Sequence, residues 1–231
     1  MSAAVLDLYG RSVPMTVRVS SLAQRMSLRV DPKTMGVVVV LPRGAPPREA
    51  VRFAYEHADW ITQRLKSLPI AIALTDGEHV PYLGVEHRIR HRPEAGRGVW
   101  VEEGEIHVSG RAEHLPRRLT DWLKKEARRV IAAESHALAD RLGKTVGRIS
   151  LRDTRSRWGS CSAKGDLSFS WRLILAPPEV RAYVAAHEVA HLVELNHSPR
   201  YWAVVDGLVD NRREARAWLR RHGPLLHRYG P

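Results

Sequence analysis

The sequence predicts an α+β fold, in which a β-rich N-terminal region precedes a core built around one buried, histidine-bearing helix. Three observations predict this fold. Short segments of alternating apolar and polar residues recur before residue 110, helical patterns dominate after it, and one helical segment near residue 185 is apolar on almost every side. The change of pattern near Gly110 predicts two domains, residues 1–110 and 111–231. No repeated motif is visible in the chain.

The N-terminal region is predicted to consist of strands and one helix. The helix begins at Pro46-Pro47 and runs through Leu65, since proline is favoured in a first helical turn. The tripeptide Tyr82-Leu83-Gly84 is typical of a turn between two strands. The predicted strand segments are residues 17–19, 26–30, 37–41 and 99–108.

The C-terminal region begins with a long predicted helix. Pro116 opens an amphipathic segment that Gly143 closes, and its apolar side is expected to pack behind the histidine-bearing helix. Residues 149–152 and 167–171 alternate between apolar and polar side chains, which predicts two strands between these helices.

The most specific motif is His187-Glu188-Val189-Ala190-His191. Because each helical residue advances about 100°, histidines at positions i and i+4 lie about 40° apart around the axis. Both imidazoles can therefore point at one metal ion, and the glutamate beside them is placed to act as a general base. This pattern is typical of zinc-dependent hydrolases.

The surroundings of the motif favour a metal site over two core histidines that share a face by chance. Residues 180–195 are almost wholly apolar, so the helix is expected to be buried. Burying histidines and carboxylates without partners would cost several kcal/mol, and a divalent cation would satisfy them. Pro177-Pro178 marks the start of this helix, and Asn196 is expected to end it.

A third metal ligand is predicted just beyond the helix. His197 follows His191 at the spacing of a longer metalloprotease pattern, but Glu194 stands where that pattern requires glycine. Glu194 is too far along the helix to join both histidines at one metal, so it is expected to accept a hydrogen bond from a ligand imidazole. Glu214 remains an alternative ligand.

Several motifs together resemble the YgjP-like metal-dependent hydrolases, which are relatives of the WLM and SprT-like zincin peptidases. The resemblance is carried by residues 157–162 (RWGSCS), 171–177 (WRLILAP), the His-Glu-x-x-His helix, 196–198 (NHS) and Tyr201-Trp202. It implies a zincin-like metallopeptidase core, with His187, His191 and His197 as zinc ligands and Glu188 as general base. Two residues depart from the family pattern, Ser170 in place of asparagine and Tyr201 in place of phenylalanine.

The expected reaction is hydrolysis of an amide bond in a peptide or protein substrate. Zinc would activate a water molecule, and Glu188 would take its proton and pass it to the leaving group. The negative oxygen that forms on the substrate needs a further donor, for which Tyr201, Arg157 and Arg155 are candidates. Analogy with zincin folds makes residues 158–162, which include Trp158, Gly159 and Ser160, a candidate strand-like edge of the substrate cleft.

Two alternatives to a peptidase stay open. The chain carries a net charge of +12 with clustered arginines, which favours contact with polyanions. One alternative, which the resemblance to the YgjP-like group implies, is a metal-dependent nucleotide pyrophosphatase acting on a triphosphate such as UTP, although the sequence shows neither a glycine-rich phosphate loop nor a carboxylate cluster. The other is a nucleic-acid-associated protein with a structural zinc, for which a buried base would serve no purpose.

Compartment is predicted from cysteine usage and hydropathy. Cys161 is the single cysteine, so an internal disulfide is excluded and the thiol is expected to be a small packing residue. The first ten residues show no signal pattern, and no apolar run reaches transmembrane length. We therefore expect a soluble cytoplasmic protein without a membrane partner.

Overall fold

The computed structural model describes residues 2–31, 34–66 and 71–230, and the chain forms two compact units, residues 1–69 and 70–230. The boundary lies about forty residues before the position near Gly110 that the sequence pattern indicates. The reason is packing, because strands of residues 79–109 share one hydrophobic core with the helices that follow them. Each unit mixes helices and strands.

The first unit is a four-stranded sheet with two helices. Its strands are β1 (Ser2–Leu8), β2 (Arg11–Ser20), β3 (Ser27–Asp31) and β4 (Gly36–Pro42), followed by α1 (Pro47–Glu56) and α2 (Ala58–Lys66). The strand order is β1-β2-β4-β3, with β2 and β4 parallel and the other pairs antiparallel. The prediction of one helix here is wrong, because the helical backbone is interrupted at His57.

The second unit begins with a sheet of the same topology. The strands β5 (His79–Tyr82), β6 (Val85–Arg92), β7 (Val99–Glu102) and β8 (Glu105–Ser109) have the order β5-β6-β8-β7 and repeat the pairing directions of the first sheet. The architecture therefore repeats although no repeated motif is visible in the sequence. The two sheets share strands in which apolar and polar residues alternate. They also share tight turns with positive φ values, at Tyr9-Gly10 in the first sheet and Leu83-Gly84 in the second.

The remainder of the second unit contains a small sheet and four helices. The helices are α3 (Leu115–Arg141), α4 (Pro178–Ala190), α5 (Pro199–Leu208) and α6 (Arg212–Leu226), and the strands are β9 (Ile149–Arg152), β10 (Gly159–Cys161) and β11 (Leu167–Ser170). The long helix and the strands at 149–152 and 167–170 confirm the sequence predictions. The order β10-β11-β9 leaves β10 at an edge of its sheet.

Helix α4 is buried as predicted, but it ends earlier than predicted. Its helical residues stop at Ala190, and the chain continues through tight turns instead of reaching Asn196. In these turns the amide of Leu192 donates to Val189 and that of Val193 to Ala190, which are i→i−3 bonds. Tightening of this kind satisfies carbonyl groups at a helix end without a glycine.

Three contacts fix α4 and the segment that leads into it. The Arg181 guanidinium is 4 % exposed and forms a bidentate ion pair with Glu134 of α3, with N–O distances of 2.8–3.0 Å. The amide of Leu83 donates to the Ile174 carbonyl at 2.8 Å, just before the helix begins. At the next residue, Gly84, a Cβ atom would lie 2.6 Å from the Cα of Pro177.

Arg172 ties the same leading segment to the C-terminal end of α6. Its side chain has no exposure to solvent, and its Nε donates to Asp153 at 2.8 Å. Its Nη1 donates to the carbonyl oxygens of Leu226 and Tyr229. A buried guanidinium needs this number of acceptors, because each unsatisfied donor would cost free energy.

A helix that crosses a bilayer needs about 20 consecutive, predominantly apolar residues. None of the helices in the described residues combines the length and the apolar composition that a membrane-crossing segment needs.

We predict that Gly84→Ala destabilises the second unit more than Gly104→Ala does. Both glycines have positive φ values, +81° and +76°, so both substitutions carry the same backbone strain. A methyl group at 84 also meets Pro177, whereas position 104 has open space around it. Chemical denaturation should show a further loss of about 1–3 kcal/mol for Gly84→Ala. Equal losses would contradict the proposed contact between the turn and α4.

Candidate active site

Three histidines form one cluster beside the C-terminal end of α4. His187 lies in the last turn of the helix, His191 is its C-cap residue, and His197 lies in the loop before α5. One ligand atom from each residue lies within 4.8 Å of the others. Among the described residues this is the group of histidine, cysteine and acidic side chains whose geometry suits a metal ion. Glu214, the alternative ligand, is exposed on α6 and outside this group.

The ring nitrogens of the cluster are oriented as ligand imidazoles would be. The Nδ1 of His191 lies 3.1 Å from the Glu194 carbonyl oxygen, which leaves its Nε2 free for a metal. Glu194 thus supports a histidine as expected, but through its backbone instead of its carboxylate. The Nε2 atoms of His187 and His197 are 3.3 Å apart.

The residues present fit a zinc ion. Two ligands bound at ~2.0–2.1 Å in a tetrahedron are about 3.3 Å apart, which matches the spacing of the two Nε2 atoms. Burial and the neighbouring histidines lower the pKa of His187 to about 4, and burial lowers the pKa of His191. Both rings are therefore neutral near pH 7, which is the form that binds metal.

Glu188 is buried directly beside the histidine cluster. It is 5 % exposed, and a Cβ atom at Gly159 would lie 2.5 Å from its carboxylate oxygen. Only glycine at this point of β10 therefore allows the carboxylate to lie against the strand. Burial raises the pKa of Glu188 to about 7, although the positive charge of Arg157 opposes this rise.

Aromatic side chains of α5 pack against the three imidazoles. Tyr201 has no exposure to solvent, and its ring centroid lies 4.6–5.4 Å from those of the three histidines. Its hydroxyl donates to the carbonyl oxygen of His187 at 2.7 Å. This hydrogen bond occupies the hydroxyl that the sequence made a candidate oxyanion donor, so the observed contact is with the helix backbone.

Two pockets lie at the two ends of edge strand β10. One has a volume of about 270 Å³ and is lined by Arg157, Trp158, Gly159, Tyr183, Val184, His187, Glu188, Arg216 and Leu219. We call it the arginine pocket. The other has a volume of about 420 Å³, is lined partly by His191, Lys144 and Lys164, and is called the loop pocket. The histidine cluster therefore contributes a residue to each pocket.

The predicted cleft residues are only partly brought together. Arg157, Trp158 and Gly159 line the arginine pocket, whereas Ser160 follows them in β10 without lining it. Arg155 does not line this pocket, and its positive charge helps to lower the pKa of His227. Cys161 is half-buried, and burial raises the pKa of its thiol, in keeping with a packing role.

Sequence reasoning missed four residues of the arginine pocket, which are Tyr183, Val184, Arg216 and Leu219. Tyr183 lies one helical turn before His187, and the period of the helix was a signal that could have identified it. Arg216 and Leu219 come from α6, about thirty residues after the motif. No local pattern connects these two residues to the histidines, since only the packing of α6 against α4 brings them together.

Trp158 is held in the wall of the arginine pocket by the C-terminal part of α6. Its ring stacks on that of His227 at a centroid distance of 5.3 Å. A Cβ atom at Gly223 would lie 2.9 Å from the indole, so glycine allows the close approach. Burial and nearby arginines lower the pKa of His227 to about 4.

A third pocket, which we call the basic pocket, lies away from the histidines. It has a volume of about 460 Å³, and its lining includes four cationic residues, Lys124, Lys125, Arg128 and Arg152. Its one acid, Asp153, is paired with Arg172. Contact with a polyanion stays a prediction, and this pocket is one place where positive charge is concentrated for it.

The fold and the histidine cluster together indicate a metal-dependent enzyme. The sequence model of the YgjP-like family, described as a metallopeptidase domain, matches residues 24–222. The chain therefore belongs to the YgjP-like family, and in its general class it is a metal-dependent peptidase. The family resemblance expected from the sequence motifs is confirmed.

Similarity to solved structures and to curated proteins is weaker. The solved structure of the metallopeptidase zymogen abylysin from Pyrococcus abyssi aligns with 44 % of this chain and 99 % of its own chain, at 22 % identity and a TM-score of 0.37. The comparison with curated proteins finds no match to this chain.

We predict that His227→Phe flattens the pH dependence of stability between pH 6.5 and 4. As the pH falls through this window, the unfolded chain protonates this histidine near 6.5, whereas the folded chain keeps it neutral to about 4. Acid therefore favours unfolding through His227, by at most about 1.4 kcal/mol per pH unit. Phenylalanine keeps the stack on Trp158 and takes no proton.

The measurement is the free energy of unfolding of both proteins at several pH values in this window. His187 and His191 contribute a similar slope to both proteins, so the difference between the two slopes reports His227. Identical slopes would show that His227 is protonated in the folded state and is not shielded from water.

Proposed function

We propose that the protein is a zinc-dependent peptidase that uses Glu188 as general base. The observation that carries this proposal is the position of Glu188, buried against Gly159 and next to the cluster of His187, His191 and His197. A bound zinc ion would supply an activated water molecule and would polarise the carbonyl group of the substrate. The three histidines would hold the ion and leave one position open.

Zinc is favoured over other metals by the donor set. Three imidazoles without a carboxylate suit zinc, whereas magnesium and calcium require oxygen ligands. Three protein ligands are typical of catalytic zinc sites, since structural sites are normally closed by a fourth. The donor set therefore supports a catalytic role for the ion.

Glu188 is suited to move a proton during the reaction. Its carboxyl group lies beside the histidine cluster, so it is placed to exchange a proton with a water molecule held there. It would take a proton from the attacking water and deliver it to the nitrogen of the leaving amine. Its burial excludes bulk water, which strengthens these interactions.

The free edge of β10 supports a peptide as the substrate. Because β10 pairs with β11 on one side only, its other edge has backbone groups able to bind an extended chain. A peptide bound along this edge would pass Glu188 at Gly159, between the arginine pocket and the loop pocket. Arg157 is the remaining candidate to stabilise the negative oxygen, since the Tyr201 hydroxyl is already bonded.

We predict that the wild-type protein, purified without chelators, contains about one zinc ion per chain. His197→Ala should lose most of this zinc, because two protein ligands remain and each ligand contributes to affinity. His136→Ala is the matched control, since His136 is an exposed histidine of α3 outside the cluster. The measurement is plasma mass spectrometry of the three proteins.

A wild-type protein that holds no zinc and cannot be reloaded would remove the basis for the proposed function. Equal zinc content in His197→Ala and wild type would instead mean that another residue is the third ligand, and Glu214 would be the next candidate.

We predict that Glu188→Gln lowers peptide hydrolysis by about 10²–10⁴-fold while zinc content stays unchanged. Glutamine has the same shape but accepts no proton, so a loss without metal loss reports the general base. The assay compares wild type and variant on a peptide library and on a nucleoside triphosphate. Turnover of the triphosphate alone would favour the pyrophosphatase alternative, and an unimpaired Glu188→Gln peptidase would contradict the role of the base.

A further inference from the structure

We propose that the arginine pocket selects an acidic side chain, preferably glutamate, next to the bond that is cleaved. That a bond is cleaved rests on the proposed function. The binding preference concerns only a peptide and this pocket. The pocket adjoins both His187 and Glu188, so a side chain inside it belongs to a residue beside the reacting bond.

The walls of the arginine pocket are apolar. Trp158, Val184 and Leu219 contribute hydrocarbon surface, and the Tyr183 ring is buried beside them. The volume of about 270 Å³ has room for one side chain. Methylene groups are stabilised against such walls by removal from water, at ~0.8 kcal/mol for each buried CH₂.

Two arginines bring positive charge to this pocket, and Glu188 is the one acid among its lining residues. Arg157 and Arg216 are both exposed, and neither forms an ion pair with an acid anywhere in residues 2–31, 34–66 and 71–230. The charge of Arg157 acts on Glu188, and that of Arg216 acts on His187 and Tyr183. The two arginines line the pocket from different parts of the chain, the segment just before β10 and helix α6.

The combination of apolar walls and two free guanidinium groups favours glutamate. Its two methylene groups contact the walls while its carboxylate accepts charge-assisted hydrogen bonds from the arginines. Aspartate is one methylene shorter, and lysine would bring a third positive charge. The loop pocket at the other end of β10 also carries cations, Lys144 and Lys164, so both ends of the cleft attract acidic peptides.

The experiment measures peptide binding to the zinc-containing Glu188→Gln protein, which keeps the shape of the pocket, removes its one carboxylate and hydrolyses slowly. Fluorescently labelled peptides of alanine and serine carry a single central glutamate, glutamine or lysine, so that one residue differs. Anisotropy should show glutamate binding about three- to tenfold tighter than glutamine, with lysine weakest. The moderate factor reflects the exposure of both arginines to solvent.

Charge variants test whether the pocket itself causes the preference. Arg216→Glu, made in the Glu188→Gln background, should remove the preference for glutamate over lysine. Arg221→Glu is the matched control, because it changes the net charge equally and lies on the same helix about 140° around the axis from Arg216. Circular dichroism of both variants confirms that α6 is intact.

The outcomes separate this inference from the proposed function. Equal affinity for the glutamate and lysine peptides, or an equal loss of preference in Arg221→Glu, overturns the pocket assignment. Mapping the bonds cleaved by wild type supplies the second readout. Selective binding of glutamate peptides without any cleavage would contradict the proposed peptidase activity and leave the binding preference intact. Cleavage without a preference for acidic residues would support the peptidase activity and contradict the binding preference.

Discussion

The structure of the second unit depends on the burial of α4. A helix that is covered on almost all sides carries a carboxylate, a guanidinium and imidazoles, and each of these groups requires a partner. Arg181 pairs with Glu134 of α3 through its Nε and Nη2 atoms, and the histidines face one another in an arrangement that suits a cation. The neighbouring elements are therefore arranged around the polar groups of one helix as much as around its apolar ones.

A close approach between α4 and β10 links the chemistry to the cleft. Glycine at position 159 lets the Glu188 carboxylate lie against the strand, and the same strand has a free edge. The proposed base and the edge proposed to bind a peptide are consequently fixed by one contact. A larger residue at 159 would force the helix and the strand apart and would disturb both.

The arginines of this unit divide into two groups by environment. Arg172 and Arg181 are buried and bonded to acceptors, and they join segments that are distant in the sequence. Arg157 and Arg216 are exposed beside the candidate site and have no ion-pair partner in the described part of the chain. Buried guanidinium groups are costly unless paired, so the first group serves the fold, whereas the second is available to a ligand.

The sequence by itself determined what depends on neighbours along the chain. Helical geometry places His187, Glu188 and His191 close together on α4. The long helix and most strands follow from the periodic spacing of apolar residues along the chain. Only the tertiary structure decided the boundary at residues 69–70, the repeated strand order, the helix end at Ala190 and the contribution of Arg216. These features arise from contacts between segments far apart in sequence, and local residue patterns carry no information about which distant segments pack together.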